Sequence, residues 1–461
     1  MRSCDNDVVV MGAGLAGLSA GHALTRAGAQ VRILEQGPAV GGLARTVESG
    51  PFRFDLGGHR LFTADDSIRG LVEGLLGEES STVARKSQIF LRGRYIDYPL
   101  RPFNAMSGLG ARTAMRIALD QLRRREGAMV SLEDWVVAHF GRTLFDIYFK
   151  PYSEKVWGLG CQDISMDWVA QRIQGLSLGA ALKNALLRGS GRSIRTLADS
   201  FVYPRAGIGR IAERLCEEVQ AQARNDVVCN IEVSRLYHDG RSVWSAALRD
   251  GVHTSSIRGR AFVSTVPITA LVRMLDPKPP AAVLRAAGSL RFRDLVVVAV
   301  MLHRRRATAQ SWLYFPDHSV SFGRIHEPTN WSAAMAPPGK TLLVAERFCF
   351  RGDDTWESSD GELAGQTVDD LHRLGIVSRS QVIGSSVVRV PKAYPLFAVG
   401  YREHCEAIRS YLGRFTNLFT AGRGGTFSYF NMDHAMASGT RAAGQVLALL
   451  QSEGLHARQS A

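Results

Sequence analysis

The chain has 461 residues, of which 45% are hydrophobic and 21% are charged. This length suggests roughly two to four domains, or one large enzyme body, and excludes a peptide hormone or a lone binding module. The composition is close to the globular average and excludes a long disordered chain or a collagen-like fibre. The 56 Lys and Arg residues against 43 Asp and Glu residues give a formal net charge of +13, which favours anionic partners without identifying them.

The six cysteines lie far apart, without CxxC spacing or a nearby histidine, so we expect neither a disulfide framework nor a metal site. No apolar run approaches the roughly 20 residues that a membrane-spanning helix needs, and we expect no integral membrane segment and a cytoplasmic location. No nucleic-acid reader motif accompanies the positive charge, so we expect no nucleic-acid partner. The oligomeric state stays open.

The chain opens with the pattern of a strand, a tight turn and a helix. The apolar run 8–11 precedes Gly12-Ala13-Gly14-Leu15-Ala16-Gly17, and a helical pattern follows as far as Gly28. A second predicted strand, 30–34, is followed at once by Glu35. These elements together predict a βαβ unit.

Helical patterns dominate residues 67–187, interrupted by a predicted hairpin at 89–98. Strand patterns return between residues 201 and 266. The later predicted elements are strands at 295–302, 319–325 and 341–350 and a helix from about Met432 to Leu450.

A GxGxxG motif alone is weak evidence, but here it follows a strand, opens a helix and precedes an acidic residue about 20 positions on. Gly12 permits the tight turn, Gly14 lets the backbone approach a pyrophosphate, and Gly17 allows close helix–strand packing. The helix N-terminus offers free N–H groups, and Glu35 is the expected ribose-binding carboxylate. The pattern predicts a dinucleotide site.

The segment after Glu35 favours FAD over NAD. Its paired glycines, Gly41 and Gly42, can bring the backbone against a second part of an extended dinucleotide. Arg45 can add a charge-assisted hydrogen bond there. We therefore predict FAD as the cofactor, with NAD(P)H as a candidate reductant.

We predict an α/β fold: a Rossmann-like FAD-binding domain with an inserted helical domain and an antiparallel β-sheet substrate domain. The predicted boundaries are 1–66, 201–270 and 391–461 for the three parts of the FAD-binding domain, 67–200 for the helical insertion and 271–390 for the substrate domain.

The run from Glu35 to Thr46, with its Val40-Gly41-Gly42 centre, resembles the FAD enzymes grouped with amine oxidases, phytoene desaturases and protoporphyrinogen oxidases. Ala421-Gly422-Arg423 is similar to their late segment that returns to the flavin. Longer blocks resemble UDP-galactopyranose mutases along nearly the whole chain; they are Phe54 to Thr63, Phe140 to Gly158 and Gly425 to Asp433.

The mutase resemblance implies a redox-neutral pyranose–furanose exchange of a nucleotide sugar through N5 of reduced flavin. It implies that His59, Arg172, Arg324, Tyr394 and Tyr429 are catalytic, with both arginines binding the diphosphate. It places Tyr148 and Tyr152 near the uracil, Trp157 near the sugar or flavin, and Tyr394 and Tyr429 near the phosphates. The remaining implied cofactor contacts are Gly42, Leu43, Arg45, Gly58, His59, Arg293, Gly422, Arg423 and Met432.

Departures from the mutase pattern leave the uridine and galactose specificity open, among them a different local charge pattern at Glu154-Lys155-Val156. Phe62 stands where bacterial mutases have a second histidine, Phe427 replaces a tyrosine, and Asn431 replaces an aspartate. The substrate is expected to be a small anionic or sugar-containing molecule.

The alternative function is an FAD-dependent dehydrogenase, oxidase or desaturase acting on a hydroxylated, amino or polycyclic metabolite. In that case His59, Tyr394 or Tyr429 would accept the proton. A flavin-bearing or nucleotide-binding protein without turnover is a third hypothesis. For single residues, the alternatives are a surface salt bridge for Arg324 and core packing for Trp157.

Overall fold

The computed structural model describes residues 6–98, 110–122, 129–172 and 200–459. The predicted α/β architecture is confirmed: a largely parallel first sheet carries the glycine-rich turn, and a largely antiparallel second sheet lies beside it. The predicted domain boundaries stay a prediction.

The first sheet is built around the strand Asn6–Met11. It pairs in parallel with Val31–Leu34 on one side and with His253–Ser264 on the other. Residues 8–11 are fully buried, as expected for a central strand covered on both faces. The strands of this sheet, in spatial order, are Leu275–Asp276, Glu232–His238, Val243–Asp250, His253–Ser264, Asn6–Met11, Val31–Leu34 and Asp226–Val228, with Leu418–Thr420 also pairing with His253–Ser264.

The second sheet is centred on Phe292–Leu302, in which every residue is buried. Its odd-numbered residues from Leu295 to Met301 face the core shared with the first sheet, and its even-numbered residues pack under the helix Asp360–Arg373. Because both faces of this strand are covered, its side chains are apolar in a continuous run from Leu295 to Leu302 and do not alternate with polar ones. The strands, in spatial order, are Val382–Pro395, Phe292–Leu302, Thr341–Cys349, Arg324–His326, Trp312–Tyr314, Ser87–Leu91 and Arg94–Asp97.

The predicted hairpin forms as Ser87–Leu91 and Arg94–Asp97, and it extends the second sheet. It joins that sheet through a parallel pairing of Ser87–Leu91 with Trp312–Tyr314, more than 200 residues away. Local patterning could not reveal this pairing, because it depends on tertiary contacts alone.

The predicted strand 319–325 is wrong over most of its length, because the observed strand begins at Arg324. The N–H of Ser319 donates to Asp317 Oδ1 at 2.8 Å, and the N–H of Ser321 donates to Asp370 Oδ2 at 2.6 Å. These carboxylates occupy N–H groups that a strand would offer to its neighbour, and the segment turns instead.

Helices cover both sheets. The helix Leu15–Arg26 packs between Arg210–Gln220 and Met432–Gln459, the last of which runs beyond its predicted end at Leu450. Within the described residues, no helix is long and apolar enough to cross a membrane. The other α-helices are Asp66–Leu76, Ala111–Leu122, Leu132–Phe140, Arg142–Leu144, Lys150–Trp157, Met166–Arg172, Ile268–Met274, Ala281–Ser289, Asp354–Glu357, Asp360–Arg373, Tyr401–Leu412 and Gly422–Gly425, and Phe145–Phe149 is a π-helical turn.

Two small antiparallel pairs complete the described strands. Thr46–Ser49 pairs with Phe52–Asp55, directly after the paired glycines, and Ser80–Ala84 pairs with Ser200–Pro204. In the first pair, Asp55 lies opposite Thr46.

Two glycines of the last helix give a matched test of its packing. A Cβ at Gly439 would lie 2.0 Å from the carbonyl oxygen of Ala16, whereas a Cβ at Gly444 would meet nothing within 4 Å. We expect Gly439→Ala to lower the free energy of unfolding by about 1–3 kcal/mol through overpacking. Gly444→Ala should raise it by about 0.5–1 kcal/mol through helix propensity. Denaturant unfolding checks both, and equal effects would contradict the close helix contact.

Candidate active site

The glycine turn forms a cradle without side chains at the end of the first strand. Gly12 has a φ of +102°, and a Cβ at Gly17 would lie 1.9 Å from the carbonyl oxygen of Gly12. Gly14 caps the following helix without a side-chain hydrogen bond, and the first helical turn holds no acidic residue. The N–H groups and the positive dipole end of this helix are therefore available to an anion.

The paired glycines lie against this cradle, as the preference for an extended dinucleotide requires. The N–H of Gly41 donates to the carbonyl of Ala13 at 2.8 Å. Gly42 has a φ of +56°, and a Cβ there would lie 3.2 Å from Gly14 Cα. Two stretches of bare backbone thus face each other, with Leu43 half-buried and Arg45 following in an extended conformation.

Glu35 lies at the end of the second strand, beside the glycine turn. Its Oε2 accepts the N–H of Ala13 at 2.9 Å, and its Oε1 accepts the N–H of Gly37 at 2.8 Å. The carboxylate is therefore held in place within reach of the cradle.

Residues Asp55 to His59, which we call the histidine loop, are anchored by a buried carboxyl group at the start. Asp55 is buried and accepts hydrogen bonds from the Tyr203 hydroxyl at 2.6 Å, Thr46 Oγ1 at 2.7 Å and the N–H of Ile208 at 3.1 Å. Burial raises the pKa of Asp55 to about 6, although these donors oppose the shift. The anchor ties the histidine loop to the segment around residue 205.

Glu346 holds the other end of the histidine loop. Its side chain is fully buried in the second sheet, and its Oε1 accepts the N–H of Gly58 at 3.0 Å. Its Oε2 accepts from Nη2 of Arg324, which lies directly opposite on the neighbouring strand. The carboxylate therefore joins the histidine loop to a guanidinium of the second sheet.

Arg324 does form a salt bridge, with Glu346, but it is a buried one, so the alternative of a surface salt bridge is wrong. Its side chain is only 15% exposed, and its Nη2 also donates to the Tyr394 hydroxyl at 3.0 Å. Burial disfavours its charged form, but the adjacent Glu346 outweighs burial and keeps the pKa above its usual value. Its buried Nε has no hydrogen-bond partner among the described residues, so one donor remains for a ligand.

Trp157, Tyr394 and Tyr429 form an aromatic wall beside Arg324. The Trp157 ring meets both tyrosines edge-on at centroid distances of 6.0 and 6.2 Å, and the two tyrosines lie nearly parallel at 6.1 Å. Trp157 is 2% exposed, so it is a core residue that also contributes to the cluster. Burial raises the pKa of Tyr394, which keeps its hydroxyl protonated as a donor.

Arg423 lies over both tyrosines of the aromatic wall, 5.2 Å from the Tyr394 ring and 5.4 Å from the Tyr429 ring. Its guanidinium donates to the carbonyls of Phe430 and Ala393. Among the described residues, no carboxylate pairs with it. Since Glu346 balances Arg324, Arg423 leaves this cluster with an excess positive charge.

His59 is half-buried at the end of the histidine loop, and its buried Nδ1 has no hydrogen-bond partner among the described residues. Burial, together with the charge of Arg423, lowers its pKa to about 4. The imidazole is therefore neutral at physiological pH and can donate or accept one hydrogen bond.

The other predicted residues are distributed around this centre. Arg293 is buried and donates to the carbonyls of Val156 and Phe348, so it caps the end of the helix Lys150–Trp157. Gly422 and Met432 begin two helices near the glycine cradle, where a Cβ at Gly422 would lie 3.0 Å from Ala16 Cβ. Their contacts with a cofactor stay predictions.

Tyr148 and Tyr152 stack nearly parallel with centroids 6.0 Å apart, on the π-helical turn and the helix that leads to Trp157. Arg172 ends the helix Met166–Arg172, and its side chain lies outside the described residues. The substrate roles of all three residues therefore stay predictions.

Sequence reasoning missed Glu346 and His326, and gave Asp55 no role. The signal for Glu346 was present, because a charged residue in the apolar strand Thr341–Cys349 is rarely buried without a partner. His326 lies two residues after Arg324, with its side chain fully buried 3.9 Å from Glu346. Nothing local to the sequence places it there.

The described residues fit FAD. The facing backbones of Gly14 and Gly42 leave room where side chains would intrude, the helix N-terminus suits a pyrophosphate, and Glu35 is fixed beside it. The buried, unpaired Nδ1 of His59 needs a polar partner, which a bound cofactor can supply. These features define a dinucleotide-binding flavoprotein.

Comparison with known proteins identifies the family. The profile of the flavin containing amine oxidoreductases matches residues 15–447, so the chain belongs to that family and uses FAD as its cofactor. It is 22% identical to protoporphyrinogen oxidase 2 of Arabidopsis thaliana, with 96% of this chain and 94% of that protein covered.

Solved structures share the fold. A crystal structure of reduced UDP-galactopyranose mutase matches with a TM-score of 0.81 and 22% identity, covering 96% of both chains. Cyclohexylamine oxidase from Brevibacterium oxydans matches with a TM-score of 0.66 and 16% identity, covering 97% of this chain and all of that one. The fold therefore serves both isomerising and oxidising relatives.

Gly42 and Gly50 provide a matched test of the cofactor cradle. Both have left-handed backbones, with φ values of +56° and +57°, but a Cβ at Gly50 would meet nothing within 4 Å. We expect Gly42→Ala to reduce the bound FAD per protein severalfold, because its methyl group would enter the cradle. Gly50→Ala should lower only the free energy of unfolding and leave the bound FAD per protein unchanged. The flavin-to-protein absorbance ratio decides, and equal FAD contents would contradict the cradle.

Asp55 should make stability depend on pH. Its pKa in the folded protein, about 6, exceeds its ordinary value of 3.8, so the folded state holds the proton more tightly. Protonation of Asp55 therefore stabilises the folded state. This contribution to the unfolding free energy is fully present below about pH 4 and is lost as the pH rises through 6. Relative to Asp55→Asn, wild-type protein should therefore lose about 3 kcal/mol of unfolding free energy across this window. Denaturant unfolding from acid to neutral pH measures it, and a pH-independent difference would contradict the shift.

Proposed function

We propose that the protein is an FAD-dependent enzyme that binds a nucleotide sugar and catalyses a redox-neutral, mutase-type exchange between its pyranose and furanose forms. The observation that carries the proposal is the buried Arg324, whose Nη2 donates to the Tyr394 hydroxyl and whose Nε has no hydrogen-bond partner among the described residues. A guanidinium and a phenol together suit the oxygens of a diphosphate.

The charge of the cluster supports an anionic substrate over a protonated amine. Arg423 has only carbonyl partners among the described residues, and Arg324 is already balanced by Glu346. A substrate ammonium would enter an excess positive charge in a poorly solvated site, which is unfavourable. The amine chemistry in the family's name is therefore not the chemistry that we propose here.

In this proposal each part of the site has a distinct task. Arg324 and Tyr394 bind the diphosphate and stabilise its charge as it leaves the sugar, while the predicted Arg172 adds a second guanidinium. Trp157 and Tyr429 cover the sugar and exclude water. Reduced FAD, when bound, would supply the nucleophilic chemistry. His59 is neutral, and its buried Nδ1, which has no partner among the described residues, would form a hydrogen bond with the cofactor.

An oxidoreductase is the alternative, and the protoporphyrinogen oxidase relatives over nearly the whole chain favour it. On that reading the same arginines would bind an anionic group of a different substrate, and His59, Tyr394 or Tyr429 would accept its proton. Bound FAD would supply the hydride-accepting chemistry.

Dithionite separates the two functions. We expect the reduced protein to interconvert pyranose and furanose forms within a panel of UDP-sugars, and the oxidised protein to be inactive. Bleaching of the oxidised flavin by a substrate, without dithionite, would support the oxidoreductase instead.

Arg324→Ala should weaken UDP binding by about 100-fold, since a charge-assisted hydrogen bond contributes about 1.5–3 kcal/mol. Arg324→Lys should retain part of the affinity for UDP, because lysine keeps the positive charge but lacks the paired N–H donors of the guanidinium. The control is Arg379→Ala, which removes an exposed arginine paired with Asp369 on the same domain. Calorimetric titration of FAD-loaded protein measures the affinity. Undiminished UDP binding by Arg324→Ala would exclude Arg324 from the diphosphate site.

A further inference from the structure

His326 is a buried imidazole whose ring nitrogens are both without hydrogen-bond partners among the described residues. Its side chain is fully buried and stacks on Trp331, with centroids 4.7 Å apart and planes 6° from parallel. One of the two nitrogens must carry a proton, and a buried N–H without an acceptor is unfavourable. An arrangement of this kind calls for an acceptor that becomes available in another state of the site.

An acceptor lies close by: Oε1 of Glu346 is 3.9 Å from Nδ1 of His326. That separation is about 1 Å longer than a hydrogen bond. Burial and the nearby Arg324 lower the pKa of His326 to about 3, so the ring is neutral and does not compete as a cation. A parallel stack also lets the ring slide in its own plane without losing contact with Trp331.

Glu346 needs a replacement donor when a ligand engages Arg324. In the structure the carboxylate accepts from Arg324 and from the N–H of Gly58. A phosphate that draws the guanidinium away would leave this fully buried carboxylate short of a donor, and bulk water cannot reach it. The cost would oppose anion binding and loosen the hold on Gly58.

We propose that His326 is a positioning residue that donates its Nδ1–H to Glu346 when an anionic substrate group engages Arg324. The inference rests on the proposed function, because it takes Arg324 as the diphosphate site. The exchange of donors lets Arg324 turn to the ligand while Glu346 keeps its hydrogen bond to Gly58. The histidine loop thereby stays fixed on the cofactor side during substrate binding.

Two variants of nearly equal shape isolate the donor. His326→Asn keeps an N–H close to the position of Nδ1, and His326→Leu has a similar volume without it. UDP and inorganic pyrophosphate are titrated into FAD-loaded protein, and the flavin spectrum and calorimetry report binding. We expect His326→Asn to bind within about 3-fold of wild type and His326→Leu to bind about 10-fold more weakly or worse, at equal FAD content.

Trp331→Phe is the control for packing, because it preserves a stacking ring and leaves both nitrogens of His326 in place. Its affinities should match wild type. A structural role for His326 alone would instead change FAD content or melting temperature equally in the Asn and Leu variants.

The outcomes are distinguishable. Wild-type protein that binds neither UDP nor pyrophosphate overturns the proposed function, and this inference with it. Wild-type binding with equal affinities for the Asn and Leu variants overturns this inference alone. If neither variant folds, a crystal structure of the wild type with UDP decides: the distance from Nδ1 to Oε1 should fall to about 3 Å, and an unchanged 3.9 Å overturns the inference.

Discussion

The ion pair of Glu346 and Arg324 is the interaction on which the geometry of the site depends. A fully buried carboxylate is tolerated only where charge and hydrogen bonds compensate its lost hydration. Here one oxygen accepts from the guanidinium and the other accepts from the N–H of Gly58, so a side chain of the second sheet holds the histidine loop in place. Removing either partner would leave an uncompensated charge in the core. The position of the histidine loop is therefore linked to the state of the second sheet.

The same ion pair also determines where the net charge of the candidate active site lies. Because Arg324 is neutralised in place, the excess charge of the cluster resides on Arg423, which is fixed over Tyr394 and Tyr429. His59 adds no charge, since burial keeps it neutral. The cluster therefore carries a net positive charge on the scaffold of the flavin containing amine oxidoreductases.

Patterns with a local physical cause could be predicted from the sequence. Gly12, Gly14, Gly17 and Glu35 were recognised because strand, turn and helix follow each other within one βαβ unit. Features that depend on the pairing of strands far apart in the chain could not be predicted. Glu346 and His326 acquire their roles only through strand register, and the segment before Arg324 turned because Asp370, far along the chain, takes one of its N–H groups. The residues of the aromatic wall could be predicted only from the family resemblance, because no spacing in the sequence indicates that they lie together.

The wide spacing of the paired strands has a consequence for the order of assembly during synthesis. Asn6–Met11 cannot acquire its neighbour His253–Ser264 until more than half of the chain has left the ribosome. Ser87–Leu91 must wait still longer for Trp312–Tyr314. Both early segments contain apolar residues, so the nascent chain exposes apolar strands with unpaired backbone N–H and C=O groups for many seconds. Its production in cells should therefore depend more on chaperone supply than its final stability would suggest.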